Sequence, residues 1–195
     1  MGKGRLEAFS DGVIAIIITI MVLEMKAPHS SDIASLKPLI PVIISYVLSF
    51  IYIAIYWNNH HHMLHTVHSV NGSILWANLH LLFWLSLVPF VTGWMGENHF
   101  AQWPVALYGF VLLMNALAYS ILSHILIRHE GKNSALAAAV GDGTKGKISV
   151  SCYVLAVLLS FVHPWWSMGL YFLVAAIWFI PDKRIEKKLI NEPPV

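Results

Sequence analysis

Residues 4–26 read GRLEAFSDGVIAIIITIMVLEMK, and this stretch decides the fold class. Polar and charged residues lead directly into twelve uncharged residues between Asp11 and Glu24. As a helix these twelve cover about 18 Å at 1.5 Å per residue, less than a hydrocarbon core of about 30 Å. The polar residues that open the helix, up to Asp11, are called the polar head below. They therefore either reach to the interface or lie at membrane depth. At that depth, charged groups usually face a bundle interior or a water-filled cavity.

The composition of the whole chain predicts an integral membrane protein. Of its 195 residues, 57% are hydrophobic and 11% are charged, against about 25% charged in soluble domains. The apolar runs are continuous rather than alternating, which favours helices whose backbone polar groups bond within each segment. Lys and Arg are sparse, so nucleic-acid binding is not indicated.

Proline and glycine residues divide the apolar runs into six predicted transmembrane helices in one domain, residues 1–195. Pro28, Pro38 and Pro41 flank the start of the second helix, and His163-Pro164 divides a stretch too long for one span. We therefore expect an all-α protein. The predicted helices lie at about 6–25, 38–57, 73–94, 103–127, 147–163 and 165–181.

The distribution of basic residues predicts the orientation of these six spans. Ten of the twelve fall on one predicted face, and only Lys26 and Lys37 fall on the other. By the positive-inside rule both termini are cytoplasmic. The ten are Lys3, Arg5, Arg128, Lys132, Lys145, Lys147, Lys183, Arg184, Lys187 and Lys188.

Helical periodicity gives the first helix two distinct features. Ile16, Ile20 and Leu23 fall at positions i, i+4 and i+7, which form one aliphatic stripe. Asp11 is turned well away from that stripe at about 100° per residue. The first helix therefore carries a dry stripe on one face and a carboxylate that needs partners on another.

The third predicted helix offers candidate partners for this polar head. It contains Asn78, His80 and Trp84, and an amide, an imidazole and an indole N–H can satisfy the Asp11 carboxylate and the Ser10 hydroxyl. A network satisfied only in part would be costly in a membrane core. The alternative for His80 is a lone packed histidine.

A histidine-rich segment follows the second predicted helix. No cysteine, and no carboxylate between Asp32 and Glu97, accompanies it, so we predict no metal site. The residues are expected at a cytoplasmic helix end, with pH sensing as the functional alternative because histidine titrates near neutrality. They are His60, His61, His62, His65 and His68.

Three sequence segments resemble a known family. Arg5 and then, after three intervening residues, Phe9-Ser10-Asp11 stand at the head of helix 1. YWNNHH ends helix 2, and NLHLLFWLSLVPF lies in helix 3. Together they resemble the endosomal and lysosomal potassium channel called transmembrane protein 175 and its bacterial relatives. The resemblance covers most of the chain.

The resemblance implies a potassium channel that lacks the re-entrant filter loop of common potassium channels, whose TVGYG motif is missing from this sequence. It implies that helix 1 of each subunit lines the pore. Constrictions would then lie at Ile16, Ile20 and Leu23, and a hydroxyl linked to selectivity at Thr19. The alternative for Thr19 is a hydroxyl bonded back to its own helix. The remaining motif residues would form the network that anchors helix 1, namely Arg5, Phe9, Ser10, Asp11, Asn78, His80 and Trp84.

The single six-helix repeat implies a homotetramer in the inner (plasma) membrane of a prokaryote. The expected partners are potassium ions, lipid and further copies of the chain, without a cofactor or nucleic acid. No nucleotide loop, catalytic triad or redox motif suggests an enzyme. Two other functions stay open: a proton-coupled secondary transporter using Asp11 and His80, and a scaffold subunit of a membrane complex.

Overall fold

A computed structural model of the protein describes residues 2–131, 133–141 and 143–179. Within these ranges the chain is helical and contains no β-strand. A 3-10 helix, Ile33–Leu39, leads directly into the second α-helix. The α-helices are α1 (Lys3–Leu23), α2 (Ile40–His65), α3 (Gly72–Ser86), α4 (Val88–Glu97), α5 (Gln102–Glu130), α6 (Ala135–Val140), α7 (Thr144–Leu159) and α8 (Pro164–Phe179).

Among the described residues, four helical segments are long and apolar enough to cross a membrane: Lys3–Leu23, Ile33–His65, Gly72–Glu97 and Gln102–Glu130. The helices α7 and α8 have 16 residues each, or about 24 Å, somewhat short of a full span. They pack against each other as a helical hairpin. The count of six spans therefore stays a prediction that depends on this hairpin.

The second helix continues to His65 instead of ending near residue 57. The predicted end at residue 57 comes just before the polar run that follows Trp57. The polar groups of that run are satisfied within the helical fold: the Asn59 side chain donates to the carbonyl oxygen of Ile55 in the same helix at 2.8 Å, and the buried His60 ring lies 2.7 Å from the Asn78 side chain of α3. The histidine-rich segment is therefore mostly the last turns of α2.

The third predicted helix, residues 73–94, is divided into α3 and α4 at Leu87. Pro89 is the cause, since it has no backbone N–H to continue the helical ladder. The Leu87 N–H instead bonds the Trp84 carbonyl oxygen at 3.2 Å. The side chain of Asn115, from α5, also donates to that carbonyl at 3.4 Å.

The helix α5 lies at the centre of the bundle and packs against α3, α4, α7 and α8. The helix α1 lies at one edge, where its main contacts are with α2, α3 and α4. It buries Leu6, Ile14, Ile17 and Met21 against these neighbours. Its opposite face is left uncovered in a single chain.

Polar contacts show which helix ends lie together at each of the two ends of the bundle. At one end the Lys3 ammonium group donates to the carbonyl oxygen of His65 at 2.8 Å, and His68 bonds the Glu130 carboxylate through its backbone N–H at 3.1 Å and its Nδ1 at 2.7 Å. At the other end the ammonium group of Lys26 lies 3.6 Å from the Glu97 carboxylate. The four long segments therefore run alternately up and down.

Several basic residues used for the orientation lie outside the described residues, as does the predicted end of the last helix at 180–181. The basic residues concerned are Lys132, Lys183, Arg184, Lys187 and Lys188.

Candidate functional site

The two faces of α1 differ sharply in exposure. Ile14 and Ile17 are 1% and 3% exposed, whereas Ile16, Ile20 and Leu23 are 58%, 40% and 80% exposed. The exposed three are the stripe read from the sequence at i, i+4 and i+7. A single chain thus presents a row of exposed aliphatic side chains along the C-terminal half of α1.

Thr19 lies within this exposed face. Its hydroxyl donates back to the carbonyl oxygens of its own helix, at 2.8 Å to Ile16 and 3.2 Å to Ala15. A hydroxyl has two acceptor lone pairs besides its one proton. Thr19 therefore still offers an oxygen to whatever occupies the exposed face.

A groove runs along each side of α1. One, of about 330 Å³, lies between α1 and the α3–α4 break and is lined by Ile16, Ile20 and Phe90 among others. The second, of about 310 Å³, is lined by residues that include Ala15 and Trp57. The exposed face of α1 is thus a ridge with an open groove on either side.

A chain of hydrogen bonds ties the head of α1 to α2 and α3. His60 Nε2 lies 2.7 Å from Asn78 Oδ1, Asn78 Nδ2 donates to Ser10 Oγ at 2.9 Å, and Ser10 Oγ donates to the Leu6 carbonyl oxygen at 2.8 Å. His60, Asn78 and Ser10 are all buried. Because Asn78 Oδ1 can only accept, this arrangement requires the proton on His60 Nε2.

Asp11 has a different partner. The indole N–H of Trp57, from α2, donates to Asp11 Oδ1 at 2.9 Å. The Trp57 ring also stacks on the His61 ring, with ring centroids 5.9 Å apart. The half-buried carboxylate thus provides a second tie between α1 and α2, one residue along from Ser10.

The other residues of the expected network take no part in these two sets of hydrogen bonds. Trp84 Nε1 donates to His80 Nε2 at 3.0 Å within α3 itself. Phe9 is 51% exposed. The Arg5 guanidinium is also exposed, and no described residue lies within hydrogen-bond or ion-pair distance of it.

Two residues that reach the head of α1 were missed as partners: Trp57 and His60. Both lie on α2, three residues apart, and so share a helix face. Extending α2 beyond residue 57 places both residues on one face, but their spacing does not identify the helix that this face contacts. Among the described residues, no group of three histidine, cysteine or acidic side chains is placed to hold a metal ion.

Comparison with known proteins bears directly on this site. The family model described as endosomal/lysosomal potassium channel TMEM175 matches residues 5–89, which run from the head of α1 to Pro89. A protein named as a potassium channel from Chryseobacterium sp. (strain P1-3) is 61% identical over 97% of this chain and 98% of its own length. The chain belongs to the TMEM175 family. This is a family of potassium channels and not of enzymes.

More distant TMEM175 relatives extend the match to nearly the whole chain. A protein named as a potassium channel from Chamaesiphon minutus is 33% identical over 90% of this chain and 92% of its own length. The crystal structure of a lysosomal potassium-selective channel TMEM175 homolog from Chamaesiphon minutus superposes with a TM-score of 0.78 at 31% identity. It covers 90% of this chain and 95% of that one.

Proposed function

We propose that this TMEM175 member is a potassium-selective channel in which α1 lines a central pore and K⁺ moves passively down its electrochemical gradient. The observation that carries the proposal is the exposed row of Ile16, Ile20 and Leu23 on a helix whose other face is fixed by packing and hydrogen bonds. The choice of potassium rests on the names of the relatives.

The chemistry of the exposed face favours a pore over lipid. A lipid-facing helix needs about 20 predominantly apolar residues, but α1 has only twelve between Asp11 and Glu24. Its exposed face also carries Gly12 and the Thr19 hydroxyl, and the Arg5 guanidinium at its head. A helix with this short apolar length and these polar groups suits the centre of an assembly, where other helices shield it from lipid.

A closed pore requires several copies of α1, and each chain supplies one. We propose a homotetramer, because closed cyclic assemblies are the common outcome of self-association and the family resemblance implies four single-repeat subunits. The grooves of about 330 and 310 Å³ beside α1 offer room for side chains of adjacent copies. Phe9, half exposed at the head of α1, is a suitable occupant.

In this assembly the rings of Ile16, Ile20 and Leu23 act as hydrophobic constrictions. They provide no oxygen, so an ion that passes sheds part of its hydration shell. Sodium holds its water more tightly than potassium and is penalised more. Discrimination is then weaker than in a filter whose carbonyl groups replace the shell, and the same rings can close by dewetting. Between Ile16 and Ile20, the Thr19 hydroxyl provides a polar group on this face.

The proposed orientation in the membrane rests on the basic residues at the two ends of the bundle. Lys3, Arg5 and Arg128 belong to the end where α1 begins and α5 ends, whereas Lys26 belongs to the opposite end. The positive-inside rule then makes both termini cytoplasmic, with α7 and α8 as the fifth and sixth spans. The bacterial origin of the relatives favours the plasma membrane of a prokaryote.

Side-chain geometry disfavours the proton-coupled transporter. A relay through Asp11 and His80 needs the two side chains to be linked. Asp11 is instead bonded to Trp57, and His80 is bonded to Trp84 on its own helix. A channel and a transporter also differ in reconstituted vesicles, since only the channel drives the membrane potential to the K⁺ Nernst value without a coupled ion.

Cysteine scanning of α1 tests the pore assignment. In a Cys152→Ala background, we expect Ile16→Cys, Ile20→Cys and Leu23→Cys to react with small water-soluble thiol reagents and lose K⁺ flux. Ile17→Cys, at a 3% exposed position, is the matched control and should stay inert. Reaction at residue 17 but not at 16 would mean that α1 is rotated from this assignment. Absence of K⁺ flux in the unmodified protein would favour the scaffold subunit.

A further inference from the structure

The residue that ends α1 is acidic and continues its exposed row. Glu24 follows Leu23 directly and lies one further i+4 step along from Ile16 and Ile20. It lines the same groove as those two isoleucines. Its carboxylate lies against α4 at Gly93, where an added Cβ atom would meet Glu24 Oε2 at 2.9 Å. The glycine lets the carboxylate lie close beside the helix backbone.

This position is electrostatically unfavourable for the folded chain. The C-terminal end of a helix carries the negative end of its dipole, which disfavours an anion. Glu97 adds a like charge nearby, and partial burial together with Glu97 raises the pKa of the Glu24 carboxyl group. Glu97 itself is paired with Lys26 at 3.6 Å, whereas no described residue forms a hydrogen bond or an ion pair with the Glu24 carboxylate. The Glu24 carboxylate therefore lies at the end of the exposed row with a like charge nearby and without a stabilising partner among the described residues.

We propose that Glu24 sets the conductance of the channel. Its carboxylates, one from each copy, concentrate cations at the pore mouth formed by the C-terminal ends of the α1 helices. The inference rests on the proposed function, in which α1 lines the pore. Acidic rings at pore entrances act in this way in cation channels generally. Here the ring lies directly beyond the Leu23 constriction, where an arriving ion still has its water.

Simple electrostatics gives the size of the effect. For four carboxylates about 10 Å from the axis in water, Coulomb attraction with salt screening enriches a monovalent cation several-fold at 0.01 M ionic strength. The enrichment falls to about two- to three-fold at 0.1 M and nearly vanishes at 1 M, since the Debye length shrinks from about 30 Å to about 3 Å. The signature of the role is therefore a conductance difference that disappears in high salt.

The test compares Glu24→Gln with wild type in planar bilayers, with K⁺ entering from the mouth that contains Glu24. At fixed low K⁺, ionic strength is raised with an impermeant organic cation. We expect a several-fold loss of conductance in Glu24→Gln at the lowest ionic strength and none at the highest. Glu24→Asp keeps the charge and should conduct like wild type. Asp32→Asn removes the same charge from an exposed loop residue and should have little effect.

A second readout separates failure of this inference from failure of the pore assignment. With Leu23→Cys in the Cys152→Ala background, a cationic thiol reagent should react faster than an anionic one, and Glu24→Gln should reduce that ratio several-fold. A reactive Leu23→Cys with no dependence on Glu24, or equal conductance of Glu24→Gln and wild type in low salt, would overturn the inference alone. An unreactive Leu23→Cys would overturn the pore assignment on which it rests.

Discussion

Replacing Asn78 by leucine tests whether the buried hydrogen-bond chain stabilises the fold. Asn78 is fully buried in α3, accepts from His60 Nε2 at 2.7 Å and donates to Ser10 Oγ at 2.9 Å. Leucine has a similar size and shape but can make neither bond. The change therefore removes the centre of the chain while keeping the packing nearly constant.

The cost divides unequally between the two partners. Ser10 keeps its bond to the Leu6 carbonyl oxygen at 2.8 Å and loses only the N–H that Asn78 donates to it. This loss costs about 0.6 kcal/mol, the average energy of a side-chain hydrogen bond in one membrane protein. His60 Nε2 loses its partner, and a buried unsatisfied donor costs about 1–3 kcal/mol. We expect Asn78→Leu to lower the free energy of unfolding by about 2–3 kcal/mol.

The measurement is unfolding of the purified protein in mixed micelles, followed by tryptophan fluorescence. Ser86→Ala is the matched control, because Ser86 is an exposed residue of the same helix and bonds only the Phe83 carbonyl oxygen. The double variant His60→Phe/Asn78→Leu removes both polar groups. It should cost less than the sum of the two single changes, because neither partner is then left unsatisfied.

Two results would refute this reasoning. One is an unfolding free energy for Asn78→Leu within about 0.5 kcal/mol of wild type, the range of ordinary surface changes. The other is strict additivity in the double variant, which would mean that His60 and Asn78 are not coupled.

Three further predictions concern α1. Asp11→Ala should reduce the yield of the proposed tetramer on size-exclusion chromatography, while Asp11→Asn, which keeps an acceptor for Trp57, should be milder. A changed K⁺/Na⁺ preference in an Asp11→Ala protein that stays folded and assembled would instead put Asp11 in the pore. Ile16→Asn adds oxygens to the proposed ring of isoleucines, so bi-ionic reversal potentials should show more sodium permeation. An unchanged K⁺/Na⁺ preference would direct attention to Thr19. Glu24 has a pKa raised above 4.5 by burial and Glu97, so the folded protein binds this proton more tightly than the unfolded chain does. Its contribution should therefore lower the melting temperature as pH rises from 4.5 through the raised pKa, and Glu24→Gln should remove that dependence.

The class of the protein and the two faces of α1 were predictable because they depend on local properties. Hydropathy identifies apolar helices without knowledge of packing. The spacing of Ile16, Ile20 and Leu23 places the three residues on one face of the helix, and this holds whichever neighbour that face contacts. The exposure of these three side chains in a single chain agrees with that reading. Their role in a pore remains a proposal.

The partners of the polar head were harder to predict because they depend on how helices are rotated against each other. Asn78 and His80 are two residues apart, about 200° around a helix, so only one of them can face α1. Packing places Asn78 against Ser10, whereas His80 accepts a hydrogen bond from Trp84 on its own helix. The choice depends on how α3 is rotated against α1, and the sequence of α3 alone does not contain that information.

The polar head also explains how α1 obtains a defined exposed side, the side that we propose faces the pore. From Val13 to Leu23 every residue except Thr19 is apolar, so hydrophobic burial alone barely distinguishes one rotation of the helix from another. The bonds of Ser10 to Asn78 and of Asp11 to Trp57 do distinguish them, because any other rotation leaves these buried or half-buried groups without partners. Buried polar groups in other proteins specify register in this way at some cost in stability. The hydrogen bonds at one end of α1 thus determine which isoleucines, one to three turns away, are left uncovered.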